Sequence, residues 1–388
     1  MPHIPKLDVI PISALGEKFY KAVINRLPSR DSCHPFFESF LLGIHPLVPV
    51  CHIPTLIQTH SECWTRLSPN YSVETLALVL AVLYTGAANS NPVNVTACSA
   101  LLGLYEEIFE AIDFASYLAR DTRASIHLLQ ACIIMNMFKA SQLSPFSAYG
   151  FLPQVIRFAQ SLRLHVDQKK GDLVEQEVKR RAWWHLVFLD MESTIATGLP
   201  PIIHRGTFTT QLPSLYDIDL AALRDSILPG TKDISPMMVS IQGHFQWAQK
   251  MQMWFENLPS QEEVLDFKNS IEKLLNLVPT DSTPLERWAN IYLKIQIDRA
   301  YCMLGLRFWQ LDQYKGTGCE SEVVKLVPFS LPTSITNNNL EQHALSYHII
   351  SHSQHLHPIL SSHGSFLDSF NHSTHSLSSS CISALVKI

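Results

Sequence analysis

The sequence has few charged residues and no surplus of basic ones. Only 16% of its 388 residues are Asp, Glu, Lys or Arg, and the formal net charge is −5. Proteins that bind nucleic acid normally carry a basic surplus or a basic stripe. The one dense basic cluster here runs from Lys179 to Arg181. This charge distribution argues against a general polyanion binder.

Paired cysteines are also lacking. The eight cysteines are scattered, with no Cys-x-x-Cys motif and no combination of His and Cys at zinc-binding spacing. Cys132 and Cys302 lie in apolar helical patterns, which is typical of reduced core thiols in an intracellular protein. We therefore predict no metal site and no cofactor in this chain.

The common catalytic motifs are absent as well. The sequence contains no Gly-x-Ser-x-Gly, no His-Glu-x-x-His, no P-loop and no glycine-rich dinucleotide turn. A helical enzyme of the isoprenoid type needs clustered aspartates for magnesium and diphosphate, and the nearest candidate, the string YDIDL at 216–220, has only two. We predict no catalytic residues and a non-enzymatic protein, with the isoprenoid-type enzyme as the alternative.

Signals for membrane targeting are missing too. The first residues, MPHIPKLDVIPIS, lack the charged, apolar and small-residue order of a signal peptide. The longest apolar run, 76–88, is shorter than the roughly 20 residues that a membrane-spanning helix needs. This run is better explained as a core helix, and no membrane partner is predicted.

The residues that are present favour a large helical core. Hydrophobic residues make up 46% of the chain, and no alternating strand pattern of useful length occurs. We therefore predict an all-α fold. Helices are predicted at about 32–44, 72–87, 95–118, 122–140, 145–164, 172–198, 236–257, 260–277 and 284–311, and the proline-rich string HPLVPVCHIPTL is predicted to turn into a further helix.

The helix at about 172–198 is the predicted centre of the fold. Asp172 and Glu175 are placed to form a capping box at its start. Gly198, Pro200 and Pro201 mark its end. Its far half is apolar on nearly every side, so we expect that half to be buried.

Charged residues of this helix divide into two groups. The i,i+4 pairs Glu175/Lys179 and Glu177/Arg181 predict a solvated face near its start. Asp190 is a carboxylate in apolar surroundings, and a buried charge must be paired. We expect its partner to be Arg157, Arg180 or Arg181, and the less favoured alternative is a general acid or base with a raised pKa.

Basic and aromatic residues meet at the middle of the helix. The cluster from Lys179 to Arg181 lies beside Trp183 and Trp184, a combination that in other proteins binds phosphate and stacks on bases. The acids at positions 175 and 177 neutralise the cluster, and the tryptophans open the apolar half. A structural role is therefore favoured over nucleic-acid binding.

The order of residues in this helix resembles a known family. An acid and a basic triplet precede Trp-Trp-x-Leu-x-x-Leu-Asp and Gly-x-Pro-Pro-x-Ile, as in the middle homology region of fungal zinc-cluster transcription factors. The string RFAQSLRLHVD, at 157–167, resembles the preceding helix of that family, and HPLVPVCHIPTL resembles its opening signature, with Leu56 in place of the usual aromatic. The residues that carry this structural motif are Arg157, His165, Asp167, Arg180, Arg181, Trp183, Trp184, Asp190, Gly198, Pro200 and Pro201.

The resemblance implies a nuclear regulator of transcription by RNA polymerase II. In the family, this helical region modulates activity, dimerises or senses a small molecule, while a separate module with six cysteines and two zinc ions reads DNA. The first seventy residues here contain only Cys33, Cys51 and Cys63. We therefore expect other transcription regulators or a second copy as partners, a possible small-molecule effector, and only indirect contact with DNA.

Three explanations of such a chain stay open. It is the regulatory part of a factor whose first exon is missing, a partner that acts by heterodimerisation, or the product of a decayed gene. The predicted organisation is a lead at 1–26, a regulatory domain at 27–312 and a tail at 313–388 that is rich in serine and histidine and is poorly ordered or not the native end. Pro153 departs from the family pattern, so the helix before Arg157 begins there or the local sequence reflects drift or a misread exon.

Overall fold

A computed structural model describes residues 22–64, 73–90, 93–111, 126–139, 150–167, 172–216, 218, 234–279 and 283–310. The chain forms two compact units. The first consists of Met1–Phe138 and Arg157–Arg163, and the second consists of Lys139–Ile156 and Leu164–Ile388. The predicted lead up to residue 21 and the predicted tail at 313–388 lie outside the described residues.

The prediction of an all-α fold is confirmed. Within the described residues, strand-like pairing is limited to an isolated antiparallel bridge between Tyr216 and Ile234. The helices are α1 (Arg30–Ser39), α2 (Ile53–Cys63), α3 (Val73–Asn89), α4 (Val95–Ala111), α5 (Ile126–Lys139), α6 (Leu152–Ser161), α7 (Leu173–Thr197), α8 (Pro236–Glu256), α9 (Gln261–Leu275) and α10 (Pro284–Gln310), and a π-helical turn (Phe40–Ile44) follows α1.

Most helix ends agree with the sequence patterns to within three residues. The helix predicted to follow the proline-rich string is α2. Residues 112–118, 122–125 and 145–149 of three other predicted helices lie outside the described residues. The helix predicted to reach residue 164 stops at Ser161, because Arg163 adopts a left-handed conformation with φ 61°. Pro153 lies in the first turn of α6, a position that tolerates proline.

Helix α3 is the buried centre of the first unit. Every residue from Thr75 to Ala87 is buried, and the helix packs against α1, α2, α4 and the π-helical turn. A helix that is apolar on all sides is stable in this position because water is excluded from its whole circumference. The buried hydroxyl of Thr85 donates to the Ala81 carbonyl oxygen at 2.7 Å, so it is satisfied within the helix.

The closest approach in this unit occurs where α3 crosses α1. A Cβ atom added at Gly86 would overlap the backbone carbonyl of Phe36, which has no freedom to move away. The two helices therefore pack with backbone against backbone at this point. Gly103 of α4 offers a contrast, because a Cβ there would meet no atom within 4 Å.

We predict that Gly86→Ala destabilises the protein by about 1–3 kcal/mol, the usual cost of overpacking a core. The matched variant Gly103→Ala should leave the free energy of unfolding unchanged or raise it by up to about 1 kcal/mol, because alanine is the better helix former. Urea denaturation of both variants tests this. Equal effects of the two substitutions would contradict the close packing of α1 on α3.

The second unit is a packed group of helices in which α8 has a central position. Helix α8 contacts α7, α9 and α10, and α9 also contacts α10. Trp247 and Phe245 of α8 are fully buried.

Among the described helices of the whole chain, none is both long and apolar enough to span a bilayer.

Both ends of α7 form as local sequence predicts, with one exception. The Asp172 carboxylate accepts from the N–H groups of Val174 and Glu175 at the start. Gly198 ends the helix with φ 73°. The return bond of the predicted capping box is not formed, because the Glu175 carboxylate pairs with Lys179 at 2.6 Å instead.

Candidate functional site: helix α7 and its strap

An extended segment lies along α7 in the opposite direction and is fastened to it by side chains. We call residues 199–216 the strap. Asp190 holds its beginning, Trp184 donates from its indole N–H to the Gln211 carbonyl oxygen at 2.9 Å, and Glu177 accepts from the Ser214 N–H at 2.9 Å. Residue numbers along the strap rise as those of their partners on α7 fall, so the two segments run antiparallel.

Asp190 binds the strap through backbone groups. Its side chain accepts from the N–H of Ile202 at 2.9 and 3.1 Å and from the N–H of Ile203 at 2.7 Å. The residue is 1% exposed, and this burial raises its pKa to about 6, while the two N–H groups and nearby His204 act in the opposite direction. Desolvation is therefore the larger effect.

The prediction that an arginine neutralises Asp190 is wrong. Arg180 pairs with Asp167, Arg181 pairs with Glu177, and Arg157 donates to Gln160 at 2.9 Å. Two backbone N–H groups of the strap take the place of the expected cation. A carboxylate can be buried in this way because aligned N–H dipoles supply much of the stabilisation that water supplied before folding.

The prediction of a solvated face holds for one of the two pairs at the start of α7. Glu175 and Lys179 are 59% and 21% exposed, whereas Glu177 and Arg181 are only 6% and 0% exposed. The Glu177 carboxylate lies 3.3 Å from the Arg181 guanidinium. Burial raises the pKa of Glu177, and the adjacent guanidinium and the Ser214 N–H oppose that effect. Periodicity misassigned this face because the strap covers it.

Arg180 connects α7 to the turn that follows α6. Its guanidinium makes two parallel bonds to the Asp167 carboxylate, at 2.7 and 2.8 Å. The same turn receives the strap, because the Thr209 N–H donates to the His165 carbonyl oxygen at 2.8 Å and the Asp167 N–H donates to the Thr209 hydroxyl at 3.1 Å. The turn, the helix and the strap are thus joined at one place.

The two tryptophans of the motif are structural. Trp183 is 0% and Trp184 is 2% exposed. Phe208 of the strap makes edge contacts with both rings at a centroid distance of 5.6 Å. Neither indole offers a free face on which a base could stack.

Sequence patterns missed a second polar cluster in the interior of the unit. The guanidinium of Arg299 in α10 pairs with Glu192 of α7 and lies 3.9 Å from the centre of the Trp247 ring. His244 of α8 is hydrogen-bonded to Tyr292, and burial lowers its pKa well below the usual value, with Arg299 contributing. The one available signal was an arginine on an otherwise apolar face of the predicted last helix.

Ten of the eleven predicted motif residues belong to the second unit, and Arg157 belongs to the first. Gly198 forms the left-handed cap of α7, Pro200 is exposed and Pro201 is buried. The arrangement can do two things chemically: it neutralises buried charge, and it holds the strap in a fixed path.

These features define an all-helical scaffold domain that is organised around a buried central helix. The chain belongs to the family described as fungal specific transcription factor domain, whose model matches residues 37–277. The predicted family is therefore confirmed. The matched range lies within the predicted domain at 27–312, and the outer bounds stay predictions.

Curated relatives are named as transcription factors or as regulatory proteins. Transcription factor macR of Penicillium terrestre is 28% identical over 215 residues, which is 51% of this chain and 25% of that protein. Transcription factor yanR of Aspergillus niger is 27% identical over 201 residues, 46% of this chain and 24% of that protein. Lactose regulatory protein LAC9 of Kluyveromyces lactis is 25% identical over 264 residues, 67% and 28% of the two chains. The chain spans about a quarter of the length of these relatives.

We predict that Glu177→Ala destabilises the protein by about 3–5 kcal/mol, because it leaves the Arg181 guanidinium buried without its carboxylate. The matched control is Glu175→Ala, which removes the exposed partner of Lys179 and should cost less than about 1 kcal/mol. Chemical denaturation of both variants measures the difference. Similar losses would show that the Glu177 pair is energetically like a surface pair.

A second prediction concerns pH. The pKa of Asp190 is raised in the folded state, from 3.8 to about 6, so its contribution to stability is fully present below 3.8 and is lost as the pH rises through about 6. This loss amounts to about 3 kcal/mol. Asp190→Asn lacks this dependence, and relative to protonated Asp190 it weakens the bonds to the strap at a cost of about 1–3 kcal/mol.

The free energy of unfolding of the native protein, relative to that of Asp190→Asn, should therefore fall as the pH is raised from 4 to 7.5. Urea denaturation over that range tests the expectation. His244, whose pKa is lowered by burial, supplies the opposite case, since its contribution is present above the usual histidine pKa and is lost on acidification. Parallel curves for the native protein and Asp190→Asn would contradict the raised pKa.

Proposed function

We propose that this chain is the regulatory region of a transcription regulator that acts in the nucleus through contacts with other proteins. The family match and the designations of the relatives support a role in transcription. In this proposal, contact with DNA, and the zinc ions associated with it in the family, come from another segment or from a partner regulator. A second copy of the chain and a small-molecule effector are further candidate partners.

The observation that carries the proposal is that the basic cluster is paired with acids of the same chain. Lys179, Arg180 and Arg181 each form an ion pair with an acidic side chain of the same chain. Trp183 and Trp184, the adjacent aromatic residues, are buried. Binding of phosphate here would require breaking these pairs, which supports a structural role for the cluster and a regulatory role that does not depend on direct DNA binding.

A non-enzymatic role is part of the same proposal. Asp190 is the carboxylate that the sequence offers for acid or base chemistry, and its raised pKa alone would fit that role. Its oxygens are instead occupied by the N–H groups of Ile202 and Ile203. This arrangement supports a structural function for the residue.

The test is to fuse the full chain to an unrelated, sequence-specific DNA-binding domain and to measure a reporter gene that carries the matching sites. We expect the fusion to change reporter expression relative to the DNA-binding domain alone. Glu177→Ala should abolish the change because it destabilises the second unit, whereas Glu175→Ala should retain it. In a mobility-shift assay at about 0.15 M salt, the full chain alone should not bind DNA in a sequence-dependent way.

Two outcomes would contradict the proposal. One is sequence-dependent DNA binding by the chain alone at that salt concentration. The other is a fusion protein that is folded by circular dichroism and yet leaves reporter expression unchanged. The first would assign DNA reading to this chain, and the second would remove its regulatory role.

A further inference from the structure

The first part of the strap presents an apolar surface to solvent. Leu199 is 56% and Ile202 is 39% exposed, and Pro200 between them is also exposed. We call these three residues the loop face. Their neighbours Pro201 and Ile203 are buried, so the backbone alternates between residues that anchor it and residues that face outward.

The loop face is held in one conformation from several sides. Gly198, with φ 73°, directly precedes it, and Gly206, with φ 81°, follows Arg205, so left-handed bends lie on both sides of 199–205. Asp190 binds the backbone N–H groups of Ile202 and Ile203, and Gln252 of α8 donates to the Ile203 carbonyl oxygen at 2.8 Å. Both anchoring side chains are buried.

This anchoring is energetically costly. Desolvation is the largest influence on the ionisation of Asp190 and disfavours its charged form. An apolar residue at position 190 would avoid that cost but would leave the two N–H groups without an acceptor. The carboxylate thus contributes a fixed path for the loop, and a surface that is already ordered loses less entropy when it binds a partner.

Basic side chains follow the loop face directly. His204 and Arg205 are both exposed, and Arg205 makes no ion pair with any residue that the structure describes. Other arginines of the second unit, such as Arg180 and Arg299, are paired with acids. The loop face therefore combines three apolar residues with an available guanidinium.

We propose that the loop face and Arg205 form a docking site for a partner's acidic segment that carries large aliphatic or aromatic side chains. The apolar side chains of such a segment would cover Leu199 and Ile202, and its carboxylates would pair with Arg205. A second copy that docked through the same surface would bring the two Arg205 side chains together, and this repulsion favours a different protein as the occupant.

This inference deepens the proposed function and rests on it for the biological role of the partner. Binding itself can be measured without reference to transcription. The probe is a fluorescently labelled synthetic peptide that repeats Glu-Leu-Asp-Phe, titrated with the full-length chain and followed by anisotropy. A second peptide with lysine in place of both acids tests the requirement for negative charge.

We expect saturable binding of the acidic peptide and no binding of the basic one. Ile202→Ser and Arg205→Glu should each weaken binding by about tenfold or more. Leu265→Ser is the matched control, because Leu265 is an aliphatic residue on α9 whose exposure of 53% is close to the 56% of Leu199. This substitution should leave binding unchanged. Thermal unfolding of each variant verifies that it is folded.

Three results would overturn the proposal. They are the absence of saturable binding, equal binding of the acidic and basic peptides, and equal binding by folded Ile202→Ser, Arg205→Glu and Leu265→Ser proteins. If the peptide binds as expected but the reporter fusion is inactive, the docking site stands and the proposed function fails. If the fusion is active but the peptide does not bind, only the docking site fails.

Discussion

The second unit depends on hydrogen bonds to the carboxylates that α7 carries into the protein interior. Asp190 and Glu177 are both buried, and each receives at least one backbone N–H from the strap. Within the described part of the chain, Asp190 receives its hydrogen bonds from the strap alone, and Glu177 receives one from the strap beside the Arg181 guanidinium. A buried carboxylate that loses such a donor is destabilised by more than an ordinary surface interaction gains. Helix and strap are therefore mutually dependent: the helix supplies the acceptors, and the strap supplies the donors and the cover.

A similar dependence links α7 to the helices behind it. Arg299 of α10 reaches Glu192 of α7 while its planar group lies on the Trp247 ring of α8. A guanidinium in this position has strict requirements for direction and distance, so it fixes how the three helices are placed along one another, whereas apolar contacts alone tolerate small shifts. The buried His244, hydrogen-bonded to Tyr292, adds a second directional contact in the same interior.

The division between inward and outward side chains bears on function. The motif residues that suggest a nucleic-acid surface make contacts within the chain instead. Arg180 and Arg181 are paired with acids, and Trp183 and Trp184 are buried. Leu199 and Ile202 of the strap are exposed instead, and the same contacts hold the strap in place. In this domain of the fungal specific transcription factor family, the motif residues therefore determine the fold, while the docking site that we propose lies on the strap.

Local sequence determined where the helices begin and end. Asp172 and Gly198 were recognised as caps of α7, and the structure places both as predicted, because capping depends on a few consecutive residues. The family could also be predicted, because its motif residues lie within the single stretch 157–201. The tertiary structure decided the partners of the charges. The helical pattern alone places Glu177 on a solvated face, but the strap covers that face. Asp190 is hydrogen-bonded to backbone N–H groups, which no sequence pattern identifies. Arg299 and Glu192 lie 107 residues apart, so only the packing of the helices brings them into contact.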